Sequence, residues 1–90
     1  IRPGHETQGL RVLVVDDNPD VLTSMAMLLE LEGHQVTTAP DAEGALQAYA
    51  EFAPHVVLLD VGLPGADGLE VARRLRARHG DVATLIAVTG

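Results

Sequence analysis

HVVLLDVGLPGADG, residues 55–68, contains an apolar run that stops on one carboxylate, Asp60, and then breaks into a loop marked by Gly62, Pro64, Gly65 and Gly68. Four consecutive apolar residues, Val56 to Leu59, predict a strand buried on both faces, the habit of parallel sheets. An acid directly after such a strand falls at its C-terminal edge, where open α/β sheets place their ligand sites. The rest of the chain reads as what Asp60 requires.

Upstream, Arg11 to Val15 (RVLVV) is apolar and β-branched, and it too ends on carboxylates, Asp16 and Asp17. Asn18 and Pro19 follow, an N-cap residue and a proline at the first helical position. Val21, Leu22, Met25, Leu28 and Leu29 then recur at helical spacing until Gly33 supplies a stop. Gln35 to Thr38 predicts a short, polar-alternating edge strand. Asp41 caps a second helix with Ala42, Ala45, Leu46, Tyr49, Phe52 and Ala53 on one face, and Pro54 ends it.

Beyond the glycine-rich loop, Asp67 or Gly68 opens a third helix with Val71, Ala72 and Leu75 facing inward. Arg73, Arg74, Arg76 and Arg78 fall on its outer face and last turns, where they complement the helix dipole. Gly80 and Asp81 turn the chain into a last strand, Thr84 to Val88, ending at Thr89 and Gly90. The order β-α-β-α-β-α-β with right-handed crossovers predicts an α/β fold, a doubly wound parallel sheet with helices on both faces.

Ninety residues make one domain or part of one. Hydrophobic residues form 47% of the chain and aromatics 2%, so the core must be aliphatic. A net charge of -7 argues against direct contact with nucleic acid. All six basic residues are arginine, and cysteine is absent, which excludes disulfides and thiolate chemistry. No apolar run approaches the roughly 18 residues of a membrane helix, so no membrane insertion by this segment is expected, and the reading is cytoplasmic. Residues 1–9, which begin on Ile1 and carry Pro, Gly and polar residues without periodicity, read as a linker in a piece of something longer.

Three strands thus end in polar residues: Asp16 and Asp17, Asp60, and Thr89. If the first and third strands are neighbours, their carboxylates converge. Clustered carboxylates repel unless a cation intervenes, and oxygen ligands without histidine or cysteine select a hard ion, most naturally Mg²⁺. Glycines in the loop bring backbone groups close to such an ion and to an anion it holds. Metal, carboxylate and hydroxyl together describe a phosphoryl-accepting site, with an acyl phosphate as product and Thr89 as donor to a phosphoryl oxygen.

These residues carry a resemblance. VVDD at Val14 to Asp17, LLDVGLPGADG at Leu58 to Gly68 and AVTG at Ala87 to Gly90 resemble the receiver domain of two-component response regulators, over nearly the whole stretch 10–90. The resemblance implies a flavodoxin-like receiver fold with sheet order 2-1-3-4-5, which makes the first and third strands neighbours. It also implies Asp60 as phosphoacceptor, Asp17 as a direct Mg²⁺ ligand, Asp16 acting on the metal through water, and the Gly62 backbone carbonyl completing the set. Thr89 becomes the switch hydroxyl, and Pro64 and Gly68 match the loop beside the site. The implied partner is a histidine kinase or phosphotransfer domain, with a homodimer as a further possibility.

Departures from the family pattern stand beside it. The family's fourth helix, fifth strand and fifth helix are absent, so residues 10–90 read as a C-terminally incomplete receiver domain of order 2-1-3-4. The family's lysine and aromatic switch residue belong to that part, and this chain has no lysine. Thr89-Gly90 resembles receivers attached to hybrid histidine kinases, and Gly62 offers no side chain to orient a water.

Simpler readings compete. Asp16, Asp17, Asn18 and Pro19 alone would pass for turn and cap chemistry, and Thr89 for an ordinary strand end. The arginines of the third helix read as a solvated face. His5, His34, His55 and His79 are scattered at element ends and make no metal site, while Asp20 and Asp67 read as helix-end charges. A haloacid-dehalogenase-type phosphatase would need an aspartate where Gly62 stands. A degenerate receiver used only for protein interaction is the alternative to a working, self-modifying switch that is not a turnover enzyme.

Overall fold

Asn18 sets the first helix. Its Oδ1 accepts from the Asp20 and Val21 N–H groups at 2.9 and 3.4 Å, and Pro19 follows at the first helical position, where a missing N–H costs nothing. The computed structural model describes residues 9–60, 68–79 and 85–89. In order these form β1 (Arg11–Val15), α1 (Pro19–Leu31), β2 (Gln35–Ala39), α2 (Ala42–Phe52), β3 (Val56–Asp60), α3 (Gly68–His79) and β4 (Leu85–Thr89). Residues 1–8 of the linker read over 1–9, the loop 61–67, Gly80, Asp81, Thr84 and Gly90 lie outside the described residues.

All pairings are parallel, and the sheet order is β2-β1-β3-β4. The register sets Leu13 beside Val57 and Val15 beside Leu59. These four share a face with a period of two along each strand. They meet Ala45, Leu46 and Tyr49 of α2 and Val71, Ala72 and Leu75 of α3, all buried. The aliphatic core expected from composition therefore lies between the sheet and the α2–α3 pair.

α1 covers the opposite face, over β1 and β2. Val12 and Val14 are buried there, whereas Val56 and Leu58 of β3 are half-buried. α1 itself has no fully buried residue. Leu22, Met25 and Leu29 are half-buried, while Val21 and Leu28, part of the same helical spacing, are exposed.

Helix ends follow the sequence closely. α1 gives way to Gly33 at φ +96°, a left-handed conformation that glycine adopts freely. Asp41 caps α2 through Oδ1 to the Gly44 N–H at 2.8 Å. α2 ends at Ala53, whose φ of 51° is left-handed for a residue with a Cβ, and Pro54 follows. Phe52 is half-buried and Ala53 exposed, so the inward face of α2 stops at Tyr49 with Phe52 at its margin. β2 extends one residue past Thr38 to Ala39, and β4 takes Thr89 into the strand.

Candidate functional site

β1 hands the chain to a short turn held by its own acids. The Asp16 N–H donates to the Ala39 carbonyl of β2 at 3.1 Å, which extends the ladder one residue beyond β1. Asp16 Oδ1 accepts from the Asn18 N–H at 2.9 Å, and Asn18 in turn caps α1. This relay leaves Asp16 half-buried with one carboxylate oxygen engaged. Asp17, next in sequence, is exposed at the sheet's edge.

The register carries the site across the sheet. Val15 pairs with Leu59, so the next residues, Asp16 and Asp60, are level on adjacent strands. Asp60 pairs with Thr89. Asp16, Asp60 and Thr89 therefore form a row over β1, β3 and β4 at the strands' C-terminal ends, with Asp60 in the middle. Adjacent parallel strands run about 4.8 Å apart. The side chains of Asp60 and Thr89, and Gly62 altogether, lie outside the described residues. Among the described residues no three acidic or histidine side chains gather into a metal cluster.

The donor types at this edge suit a hard divalent cation. The acids that end β1 and β3 offer only oxygen, cysteine is absent from the chain, and His34 and His55 precede β2 and β3 at the other end of the sheet. Asp16 Oδ1 is taken by a backbone amide, while Asp17 is exposed. The residues present fit Mg²⁺.

On α3, Glu70 binds Arg73 and also Arg74, the latter at 3.1 Å. Hydrogen bonding to Arg73 first, and then to Arg74, holds its carboxyl below the ordinary value of 4.5. This is surface chemistry on the helix's solvent side, as the sequence implied for the arginines. The reading of the chain missed the bonds made by His34 and His55, whose Nδ1 atoms accept from Leu10 and Arg11 N–H groups. Its available signal was a histidine immediately before each strand that flanks β1.

Comparison with known proteins agrees with the geometry. A family model described as "Response regulator receiver domain" matches residues 12–90. The transcriptional regulatory protein KdpE of Mycobacterium tuberculosis is 48% identical over 65 residues, 72% of this chain and 29% of that protein. The DNA-binding response regulator MtrA of Mycolicibacterium smegmatis is 41% identical over 75 residues, 83% of this chain and 33% of that protein. The structure of the chemotaxis response regulator CheY4 of Vibrio cholerae superimposes with a TM-score of 0.82 at 28% identity, covering 91% of this chain and 68% of that one. The chain spans about a third of the length of the curated relatives it matches. With its parallel β2-β1-β3-β4 sheet and carboxylates at the strand ends, the chain belongs to the response regulator receiver domain family of two-component systems.

Proposed function

We propose that Asp60 is the phosphoacceptor of this receiver, supplied by a histidine kinase or a phosphotransfer domain. The observation that carries the reading is the row Asp16–Asp60–Thr89, set by the register of three adjacent strands. A carboxylate oxygen of Asp60 attacks phosphorus, the P–N bond to the donor imidazole breaks, and an acyl phosphate forms as the imidazole leaves with a proton. Mg²⁺, held by Asp17, Asp60 and the Gly62 carbonyl with Asp16 acting through water, would neutralise the phosphoryl oxygens. The Thr89 hydroxyl donates to one of those oxygens and carries the change in charge into β4.

Residues 10–90 form the receiver unit in this reading, with residues 1–9 leading into it as a linker. The names of the relatives, transcriptional and DNA-binding regulators, favour a parent protein with a transcriptional output over a hybrid histidine kinase. The domain modifies itself without turning over a substrate, and its own net charge of -7 leaves nucleic acid to other parts of such a protein. Among the described residues no helix is long and apolar enough to cross a membrane. A cytoplasmic setting follows from the proposed donor.

Labelling of the intact protein by acetyl phosphate tests the reading. Label should require Mg²⁺, vanish in Asp60→Asn and persist in Asp20→Asn. Label that survives Asp60→Asn would move the acceptor elsewhere. No label in the unmodified protein would favour a degenerate receiver that acts only through protein contacts.

A further inference from the structure

Residues 16–18 join β1 to α1, and the outer two are pinned. Asp16 extends the sheet by one bond, its N–H donating to the Ala39 carbonyl at 3.1 Å. Its Oδ1 accepts from the Asn18 N–H at 2.9 Å, so an aspartate side chain closes the turn two residues on. Asn18 repeats the pattern: its Oδ1 accepts from the Asp20 N–H at 2.9 Å and from the Val21 N–H at 3.4 Å. The Asn18 carbonyl then takes the Leu22 N–H at 3.1 Å. Exposed Asp17 is held between these two fixed residues.

The first four N–H positions of a helix have no partner inside it. In α1 the cap residue's own N–H goes to Asp16, Pro19 has none to place, and the next two go to Asn18. The N-terminus of α1 is therefore closed by two side chains, and one of them, Asp16, belongs to the carboxylate row at the strand ends. The remainder of the helix is held lightly. Among the described residues α1 buries none of its own, whereas α2 buries Ala42, Ala45, Leu46 and Tyr49. A helix with so little packing depends on its ends, and elements of low local stability open first.

We propose that Asn18 is a positioning residue for the metal edge, and that the order of the first turn of α1 is coupled to Mg²⁺ binding through the Asp16 carboxylate. The coupling rests on the reading of Asp16, Asp17 and Asp60 as the Mg²⁺ site. Asp16 serves two structures with one carboxylate. Fraying of the first turn withdraws the Asn18 N–H from Asp16 Oδ1 and frees the residues between the sheet and the helix. An ion that binds the fixed arrangement better favours the ordered turn, and the ordered turn favours the ion by the same factor. An N-cap side chain changes helix stability by a factor of about five, which bounds the effect that its removal has on the ion.

Mg²⁺ titration of the intact protein, followed by amide shifts in NMR spectra, tests the coupling. The unmodified protein should bind Mg²⁺, and Asp17→Asn should lose most of that binding. Absence of binding, or binding that Asp17→Asn does not weaken, would overturn the reading of the site and the coupling with it. Asn18→Ala should weaken Mg²⁺ about two- to fivefold, and Asn18→Ser, which restores a cap, should return the unmodified value. Asp41→Ala, which removes the cap of α2, should lower stability and leave Mg²⁺ affinity unchanged.

Hydrogen exchange reads the same coupling from the other side. Saturating Mg²⁺ should raise protection of the Leu22 amide in the unmodified protein by at least the factor lost in Asn18→Ala, while the Ala45 amide at the start of α2 is unaffected. A lower urea midpoint in Asn18→Ala with Mg²⁺ affinity intact would make Asn18 a helix cap alone and overturn the proposal, although the site reading would stand. Leu22 protection indifferent to Mg²⁺ would overturn it equally.

Discussion

Asp16 and Asn18 show how single side chains build the edge on which the receiver's chemistry depends. Asp16 Oδ1 holds the Asn18 amide, and Asn18 Oδ1 holds the first turn of α1, so one relay fixes the turn that presents Asp17. Replacing Asn18 by Ala removes the cap and should lower stability by about 1 kcal/mol, read as a lower urea midpoint at unchanged slope. Ala53 offers the opposite case. Its left-handed φ of 51° suits glycine, and its contribution to the Arg11 contact is a backbone carbonyl that any residue has. Ala53→Gly should therefore raise stability by about 0.5–1 kcal/mol in the same titration. Glu70 has a depressed pKa through Arg73 and Arg74, so its contribution to stability is complete above the ordinary value of 4.5 and is lost as the pH falls through the lowered value. Glu70→Gln should flatten the acid limb of the stability profile while leaving neutral stability little changed, since the pair is a surface one.

At the scale of elements, the two helical layers differ in how much they are covered. α3 drives Val71, Ala72 and Leu75 into the sheet, with Leu75 only 1% exposed. Leu75→Ala should cost about 2–5 kcal/mol by leaving a cavity under α3. α1 keeps Leu28 60% and Leu31 83% exposed, so Leu31→Ala should change stability by less than about 0.5 kcal/mol in the same assay. Sequence alone did not separate these cases. Helical spacing shows which residues share a side of a helix, yet how far that side is covered depends on what packs against it. Val21 and Leu28 fit the spacing of α1 and still face solvent, because among the described elements α1 packs only on β1 and β2. Signals confined to a few neighbouring residues were legible: Asn18-Pro19, Asp41, Gly33 and the carboxylates ending β1 and β3. The histidine bonds were not, because each joins residues 24 or 44 apart and exists only once the strands are in register.

For the whole molecule, strand order brings scattered acids to one edge of the sheet. Asp16 and Asp60 are far apart in sequence, and the β2-β1-β3-β4 order with its register makes them level neighbours beside Thr89. The same order places His34 and His55 around the far end of β1, away from the Asp16–Asp60–Thr89 row. That each of these residues directly ends an apolar run was legible in the sequence; their alignment across strands needed the topology. Reductive trapping of the phosphorylated protein addresses the acceptor most directly. Borohydride cleaves an acyl phosphate and leaves homoserine where the aspartate stood, and peptide mass mapping then locates it. After treatment with acetyl phosphate and Mg²⁺, homoserine should appear at position 60 and nowhere else, and omission of Mg²⁺ should abolish it. Homoserine at position 16 or 17 with Asp60 intact would contradict the assignment.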